Sequence, residues 1–109
     1  MKTIAIIDDD IHIGDMLREV LVQEGYSVLR AYSGTEALYL LSQNKPDLVL
    51  LDLGLPDMDG MDIIRKTREW SSLPIIVISA RTQEKEKVQA LDAGADDYIT
   101  KPFGTFELL

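Results

Sequence analysis

Three short stretches of this 109-residue chain are apolar throughout, and they limit its possible folds more than any other feature. They occupy residues 4–7, 48–51 and 75–78, and none shows the alternation of polar and apolar side chains that marks a half-exposed strand. Short continuous apolar runs are typical of strands that are buried on both faces. The chain is long enough for one domain with a real core and too short for two.

The segments between these strands have the spacing of helices. In residues 11–24, apolar side chains recur every three or four positions, and Gly25 is suited to ending the helix. Either Asp9 or Asp10 is placed to cap its first turn. Further helices are predicted over residues 33–44, over 60–70 with Asp59 as N-cap, and over 83–93, and a fifth begins at residue 105 and is truncated at Leu109.

Two remaining strands, residues 27–31 and 96–99, contain polar side chains and are therefore predicted at the edges of the sheet. The alternation of strands and helices predicts an α/β fold with a parallel sheet. Right-handed crossovers favour the strand order 2-1-3-4-5, numbered along the chain. This is a flavodoxin-like, doubly wound five-stranded sheet. Ligands bind such sheets beyond the carboxyl ends of the strands, at the switch point between the first and third.

The composition excludes several kinds of site. A formal net charge of −8 argues against this domain binding DNA or an anionic membrane by itself, since both require a basic surface. The chain has no cysteine, which excludes disulfides, thiolate zinc sites and a cysteine nucleophile. No secretory signal pattern and no apolar run of membrane-spanning length is present, so we expect a cytoplasmic protein.

Polar residues follow four of the predicted strands, at the edge where ligands bind. Asp8 and Asp9 follow the first strand, Asp52 the third, Ser79 the fourth and Lys101 the fifth. The carboxyl ends of parallel strands meet at one edge of the sheet, so we expect these side chains to lie close together.

These residue types suit phosphoryl chemistry. At an effective dielectric constant near 20, each pair of neighbouring carboxylates repels by about 4 kcal/mol, which a bound cation relieves. Oxygen ligands without His or Cys favour a hard ion, and an open acidic site suits Mg²⁺. Asp52 can attack phosphorus to form an aspartyl phosphate, while Mg²⁺ and Lys101 neutralise the phosphoryl oxygens and Ser79 donates a hydrogen bond to one of them.

At these residues the chain resembles the receiver domain of bacterial two-component response regulators. Four motifs support the resemblance, which covers the whole chain: Ile7-Asp8-Asp9, the run LDLGLPDMDG from Leu51 to Gly60, Ser79-Ala80, and Lys101-Pro102-Phe103. Residues 93–98 (AGADDY) ahead of the last motif resemble the OmpR/PhoB branch, whose members have a C-terminal winged-helix DNA-binding domain. Residues 51–81 are also similar to KdpE-type regulators of potassium transport.

The resemblance implies a CheY-like fold and a role for each site residue. A sensor histidine kinase would phosphorylate Asp52. Asp9 and Asp52 would bind Mg²⁺ through their side chains, Gly54 through its backbone carbonyl, and Asp8 mainly through water. Lys101 would contact the phosphoryl group. The domain would be a signalling phospho-acceptor rather than an enzyme, although it would catalyse its own Mg²⁺-dependent phosphorylation and dephosphorylation.

The resemblance also implies a switch. Ser79 and Tyr98 would form its moving pair, with the hydroxyl shifting toward the phosphate and the ring swinging inward. Gly54 and Arg81 occupy positions that tune the phosphate's lifetime in this family, and the Lys101–Pro102 peptide bond would be cis.

The fourth helix has few apolar residues, so we expect it to move easily. Phosphorylation would create a homodimer through helix 4, strand 5 and helix 5, with charged pairs involving Lys87, Asp92, Asp97 and Glu107. Residues 1–109 would then be the receiver domain of a longer protein, which would contact DNA only through a C-terminal effector domain absent from this chain.

Three other functions are compatible with part of the sequence. A flavin mononucleotide or nucleotide carrier needs a Gly-, Ser- or Thr-rich loop after the first strand, where this chain has three aspartates that would repel a phosphate. A phosphatase with an aspartyl intermediate usually has a second acid two residues after the nucleophile, where this chain has Gly54. A stand-alone phosphorelay receiver without DNA-binding output stays open. His12 is assigned no catalytic role, and Trp70 is expected to pack at the edge of the core.

Overall fold

The computed structural model describes residues 2–81 and 83–101, which form one parallel sheet with helices on both faces. The strands are β1 (Thr3–Ile7), β2 (Ser27–Ala31), β3 (Leu48–Leu51), β4 (Ile75–Ser79) and β5 (Asp97–Thr100). The helices are α1 (Ile11–Gln23), α2 (Gly34–Gln43), α3 (Gly60–Arg68) and α4 (Glu84–Ala93). The order β2-β1-β3-β4-β5 confirms the predicted winding, with the two more polar strands at the edges.

Three sequence predictions lie outside the described residues: the fifth helix from residue 105, the Lys101–Pro102 peptide bond, and Glu107 as part of the dimer face. Within the described part of the chain, no helix is both long and apolar enough to cross a membrane.

The central strands are apolar throughout because each of their faces is covered by helices. Ile7 of β1 and Leu51 of β3 pack in a large cluster with residues of α2, α3 and α4. Ile6 and Leu50, their neighbours in the chain, point to the opposite face and pack with Leu17 and other residues of α1. Successive strand residues alternate between faces, so both faces of these strands must be apolar.

Local hydrogen bonds set the helix boundaries. Asp10, rather than Asp9, caps α1 by accepting two backbone N–H bonds from its first turn. Ser33 caps α2 and Asp59 caps α3, each by accepting one backbone N–H bond, the latter cap as predicted. Gly25 follows α1 with a φ of +93°, a conformation that favours glycine over residues with a Cβ atom.

Helix α4 is weakly anchored, as its composition predicted. Ala90 is its only buried residue, while Val88 and Leu91 are 47% and 39% exposed. Trp70 differs from expectation: it is 53% exposed instead of packing at the edge of the core, because α3 ends at Arg68 and the following turn brings the ring to the surface.

Arg68, at the end of α3, makes contacts that no pattern in the sequence predicted. Its Nε donates to the Gly94 carbonyl (2.9 Å), and its Nη1 donates to the carbonyls of Leu73 (2.7 Å) and Ser71 (3.3 Å). Its Nη2 lies 3.1 Å from an Asp96 carboxylate oxygen. This one side chain joins α3 to the loop before β4 and to the turn before β5.

We expect Arg68→Ala to lower the free energy of unfolding by about 2–3 kcal/mol, since it removes a charged donor from several carbonyl groups. Arg65→Ala is the matched control, because Arg65 lies on the same helix. Among residues 2–81 and 83–101 its ion-pair partner is Asp62 alone, and both side chains are more than half exposed. That variant should cost about 0.5 kcal/mol or less. Urea unfolding measures the free energy of unfolding of both variants. Equal decreases would show that the hydrogen bonds of Arg68 do not stabilise the fold more than an exposed ion pair does.

Candidate functional site

The fold brings together the three carboxylates that the sequence placed at strand ends. One carboxylate oxygen from each of Asp8, Asp9 and Asp52 lies within 4.8 Å of the others. Asp8 is buried, Asp9 is exposed, and the side chain of Asp52 is 12% exposed. The site is therefore an acidic cluster that opens to solvent on the Asp9 side.

Lys101 is the partner that a carboxylate at the end of a buried strand requires. Its Nζ lies 3.1 Å from Asp8 Oδ2 and 3.5 Å from Asp52 Oδ2. Its backbone N–H donates to the carbonyl of Ser79 at 2.7 Å, so the end of β5 is tied to the end of β4. The predicted convergence of Asp8, Asp52 and Lys101 is present in the structure.

Burial and charge compete at this cluster. Burial raises the pKa of the Asp8 carboxyl, although hydrogen bonds from the Asp10 N–H (2.9 Å) and from Lys101 act in the opposite direction. Burial also disfavours the charged form of Lys101, but the hydrogen bond to Asp8 and the charge of Asp52 outweigh it, so its pKa is raised. Lys101 is thus cationic at neutral pH.

The donor set fits a hard divalent cation. In the part of the chain that the structure describes, the Lys101 ammonium group is the one cation paired with these three carboxylates and cannot balance them. The cluster of Asp8, Asp9 and Asp52 therefore remains attractive to positive charge. Every side-chain donor that these three residues offer is a carboxylate oxygen, the ligand type that Mg²⁺ prefers.

The loop after Asp52 folds back on itself. The Gly60 N–H donates to the Leu53 carbonyl at 2.9 Å, and Gly54 forms an isolated antiparallel bridge with Asp59. The Gly54 N–H also donates to Asp52 Oδ1 at 3.3 Å. The backbone of Gly54, predicted to supply a metal ligand, is thus held beside the acidic cluster.

Gly60 lies against the backbone around Asp52, a close contact that the sequence did not predict. A Cβ atom at this position would lie 2.7 Å from Leu53 Cα and 2.9 Å from the Asp52 carbonyl oxygen. Helix α3 therefore starts in direct contact with the backbone around Asp52. A glycine directly after a helix N-cap was the available signal, since glycine in a helix is otherwise unfavourable.

On the other side of the cluster, hydrogen bonds connect Ser79 to Tyr98 through the backbone of Arg81. The Arg81 N–H donates to Ser79 Oγ at 3.0 Å, and the Tyr98 hydroxyl donates to the Arg81 carbonyl at 2.8 Å. Both Ser79 and the Tyr98 ring are buried, so the ring already occupies the inward position. The Arg81 side chain pairs with Asp59 (3.4 Å).

The three described residues of the predicted dimer face, Lys87, Asp92 and Asp97, are exposed. They lie on α4 and at the start of β5, whereas the acidic cluster lies at the carboxyl ends of β1 and β3.

Comparison with known proteins agrees with this geometry. The family described as response regulator receiver domain matches residues 4–109. The chain belongs to this family. As a receiver domain it is 51% identical over 109 residues to the transcriptional regulatory protein KdpE of Mycobacterium tuberculosis (strain CDC 1551 / Oshkosh), covering 100% of this chain and 48% of that protein. The predicted similarity to KdpE-type regulators is confirmed.

Solved structures of receivers match the fold closely. A two-component response regulator from Clostridium difficile superposes with a TM-score of 0.96 at 32% identity, covering 99% of this chain and 89% of that one. The response regulator TrrA from Thermotoga maritima, in complex with Mg²⁺-BeF, gives a TM-score of 0.89 at 32% identity, covering 99% and 93%. The receiver domain spans about half the length of the curated relatives it matches.

In this receiver domain, Gly60→Ala should lower the free energy of unfolding by about 2 kcal/mol, because the added methyl group meets backbone that cannot move aside cheaply. Gly54→Ala is the control: its Cβ would meet nothing within 4 Å, and its φ is not positive. We expect a change within about 0.5 kcal/mol there. Thermal and urea unfolding test the pair, and a tolerated Gly60→Ala would contradict the close contact.

Proposed function

We propose that this receiver domain is a phospho-acceptor switch in which Asp52 takes a phosphoryl group from a sensor histidine kinase. The observation that supports this most directly is the position of Lys101 between Asp8 and Asp52. A fixed cation beside a carboxylate at the solvent edge of the sheet is suited to binding the oxygens of a phosphoryl group.

Asp8, Asp9, Asp52 and the Gly54 backbone carbonyl are proposed to hold Mg²⁺. The carboxylate cluster supports the first three, and the loop hydrogen bonds support the fourth. The ion would supply positive charge to the phosphoryl oxygens during transfer. The related TrrA was solved in complex with Mg²⁺-BeF, which is consistent with such a site.

Each protein group would have a defined part in the transfer. A carboxylate oxygen of Asp52 attacks phosphorus, and the bond from phosphorus to the donor nitrogen breaks. Lys101 stays within reach of Asp52 and stabilises the phosphoryl oxygens, while Asp8 holds the ammonium group in place. The same groups would assist attack by water, so the domain would catalyse its own dephosphorylation.

The signal would leave the site through the hydrogen bonds at Arg81. A phosphoryl group on Asp52 would attract the Ser79 hydroxyl as a donor, and the backbone of Arg81 connects that hydroxyl to Tyr98. Arg81 lies shortly before α4, whose single buried residue makes it the most readily displaced of the described helices.

We propose that the output is transcriptional. The curated relatives are transcriptional regulators about twice as long as this chain, which favours a C-terminal DNA-binding effector domain over a stand-alone phosphorelay receiver. The full protein would act in the cytoplasm and contact DNA only through that domain. Phosphorylation would promote a homodimer through α4, β5 and the predicted fifth helix.

Labelling with a small phosphate donor in the presence of Mg²⁺ tests the central assignment. Wild-type protein should incorporate close to one phosphoryl group per chain, whereas Asp52→Asn should incorporate none and chelation of Mg²⁺ should abolish labelling. Asp47→Asn is the control, since Asp47 is an exposed acid directly before β3, at the opposite end of the strands from Asp52. If Asp52→Asn is labelled as well as wild type, Asp52 is not the acceptor.

The dimer proposal is tested by a charge reversal on α4. The measurement uses a longer chain that includes the segment after Leu109. In it, Lys87→Glu should weaken the phosphorylated dimer about tenfold or more, because a lysine that would attract acidic residues of the second subunit becomes a glutamate that repels them. Lys85→Glu makes the same charge change on the same helix and should have little effect. Sedimentation equilibrium measures both, and equal effects would argue against the proposed face.

A further inference from the structure

The tip of the loop between β3 and α3 is fastened to a distant helix by one carboxylate. Asp57 Oδ1 accepts the backbone N–H of Gly34 at 2.6 Å. Its Oδ2 accepts both the backbone N–H and the hydroxyl of Thr35, at 2.9 and 2.7 Å. These three bonds join the loop to the first turn of α2.

Asp57 satisfies donors that the helix's own cap leaves free. Ser33 accepts only the Glu36 N–H, whereas the first amides of a helix have no partner within it. The Thr35 hydroxyl, with the amides of Thr35 and Gly34, lowers the pKa of the Asp57 carboxyl to about 2. Asp57 is therefore ionised in the whole physiological range, and the negative charge sits at the favourable end of the helix dipole.

Glycine at position 34 lets the loop approach this closely. A Cβ atom there would collide with Cγ and Sδ of Met58, and would lie 3.1 Å from Asp57 Oδ1. The loop tip thus rests directly on the helix backbone.

The fastened loop begins at the acidic cluster. Its base is closed by the Gly60–Leu53 hydrogen bond and by the bridge between Gly54 and Asp59. Its tip is closed by Asp57. Gly54 lies between the base of the loop and this tip, so hydrogen bonds on either side of it restrict its backbone.

We propose that Asp57 is a positioning residue: by fastening the loop tip to the N-terminus of α2, it holds the Gly54 carbonyl in place for the divalent cation. This inference rests on the proposed metal site. It adds a residue that would contact neither the ion nor the phosphoryl group but would determine how well the backbone ligand is presented. The latch, meaning Asp57 with Gly34 and Thr35, would then be coupled to cation binding.

Magnesium affinity is the first test, measured for the 109-residue chain from the amide NMR signals of Gly54 and Leu55 during titration with MgCl₂. Asp57→Ala should weaken binding about tenfold, at the lower end of the effect of residues that orient metal ligands. Gly34→Ala and Thr35→Val should also weaken binding while leaving the net charge unchanged.

Two control variants are needed. One shows whether loss of any carboxylate weakens Mg²⁺ binding, and the other shows whether Mg²⁺ binds at the proposed site. Asp47→Ala removes an exposed carboxylate that also accepts a backbone N–H, from Thr3 at 2.7 Å, but at the opposite end of the strands from Asp52. Its affinity should change less than twofold. Asp9→Ala removes a proposed ligand and should abolish binding.

The outcomes distinguish the two proposals. If Asp57→Ala and Gly34→Ala bind Mg²⁺ as tightly as Asp47→Ala while Asp9→Ala loses binding, the latch has no positioning role and the metal site stands. If Asp9→Ala binds like wild type, the metal site is wrong and the latch proposal is overturned with it.

Hydrogen exchange gives an independent readout that a purely structural role would not change. Coupling between two sites is reciprocal, so saturating Mg²⁺ should slow exchange of the Gly34 and Thr35 amides by the same factor by which the latch tightens Mg²⁺ binding. The amides near Asp47 should be unaffected. Exchange at Gly34 and Thr35 that does not respond to Mg²⁺ would overturn the proposal.

Discussion

The ion pairs of Lys101 with Asp8 and Asp52 are the interaction on which the rest of this receiver domain depends. Carboxylates at the ends of buried strands are costly unless a positive charge faces them. The lysine comes from the end of β5, whereas the acids come from β1 and β3, so the side chain must pass across β4. In the observed order β2-β1-β3-β4-β5, with all strands parallel, these groups meet at the carboxyl ends of the strands. The ion pairs of the site therefore depend directly on the order of the strands.

The two sides of the acidic cluster differ in how firmly they are held. Toward α2 and α3, the loop after Asp52 is fixed by contact with Gly60 and by three hydrogen bonds to Asp57. Toward α4, single hydrogen bonds at Arg81 connect Ser79 to Tyr98, and the helix beyond has one buried residue. We therefore expect a change at Asp52 to displace the segment leading to α4 more than the loop leading to α3. This difference fits the proposed function, in which a phosphoryl group on Asp52 alters a dimer surface that includes α4.

Much of the fold followed from the sequence because burial on both faces requires a distinctive pattern. Apolar runs located the central strands, polar residues identified the edge strands, and Asp59 was recognised as a helix cap. Features that depend on contacts between remote segments were missed or misjudged. The bonds of Arg68 to backbone carbonyls, the close approach at Gly60 and the exposure of Trp70 have no periodic signal, because each depends on where one loop ends relative to another.

The sequence by itself determined which charged residues meet, because the carboxyl ends of parallel strands lie at one end of the sheet. Asp8, Asp9, Asp52 and Lys101 could be named without coordinates, as could Ser79 at the end of β4. The tertiary structure decided how these residues are held. It placed Lys101 between two carboxylates, the Tyr98 ring inside the core, and Asp57 on the first turn of α2. Hydrogen bonds and close contacts act over a few ångströms between residues that are far apart in the chain, and local sequence patterns contain no measure of such distances.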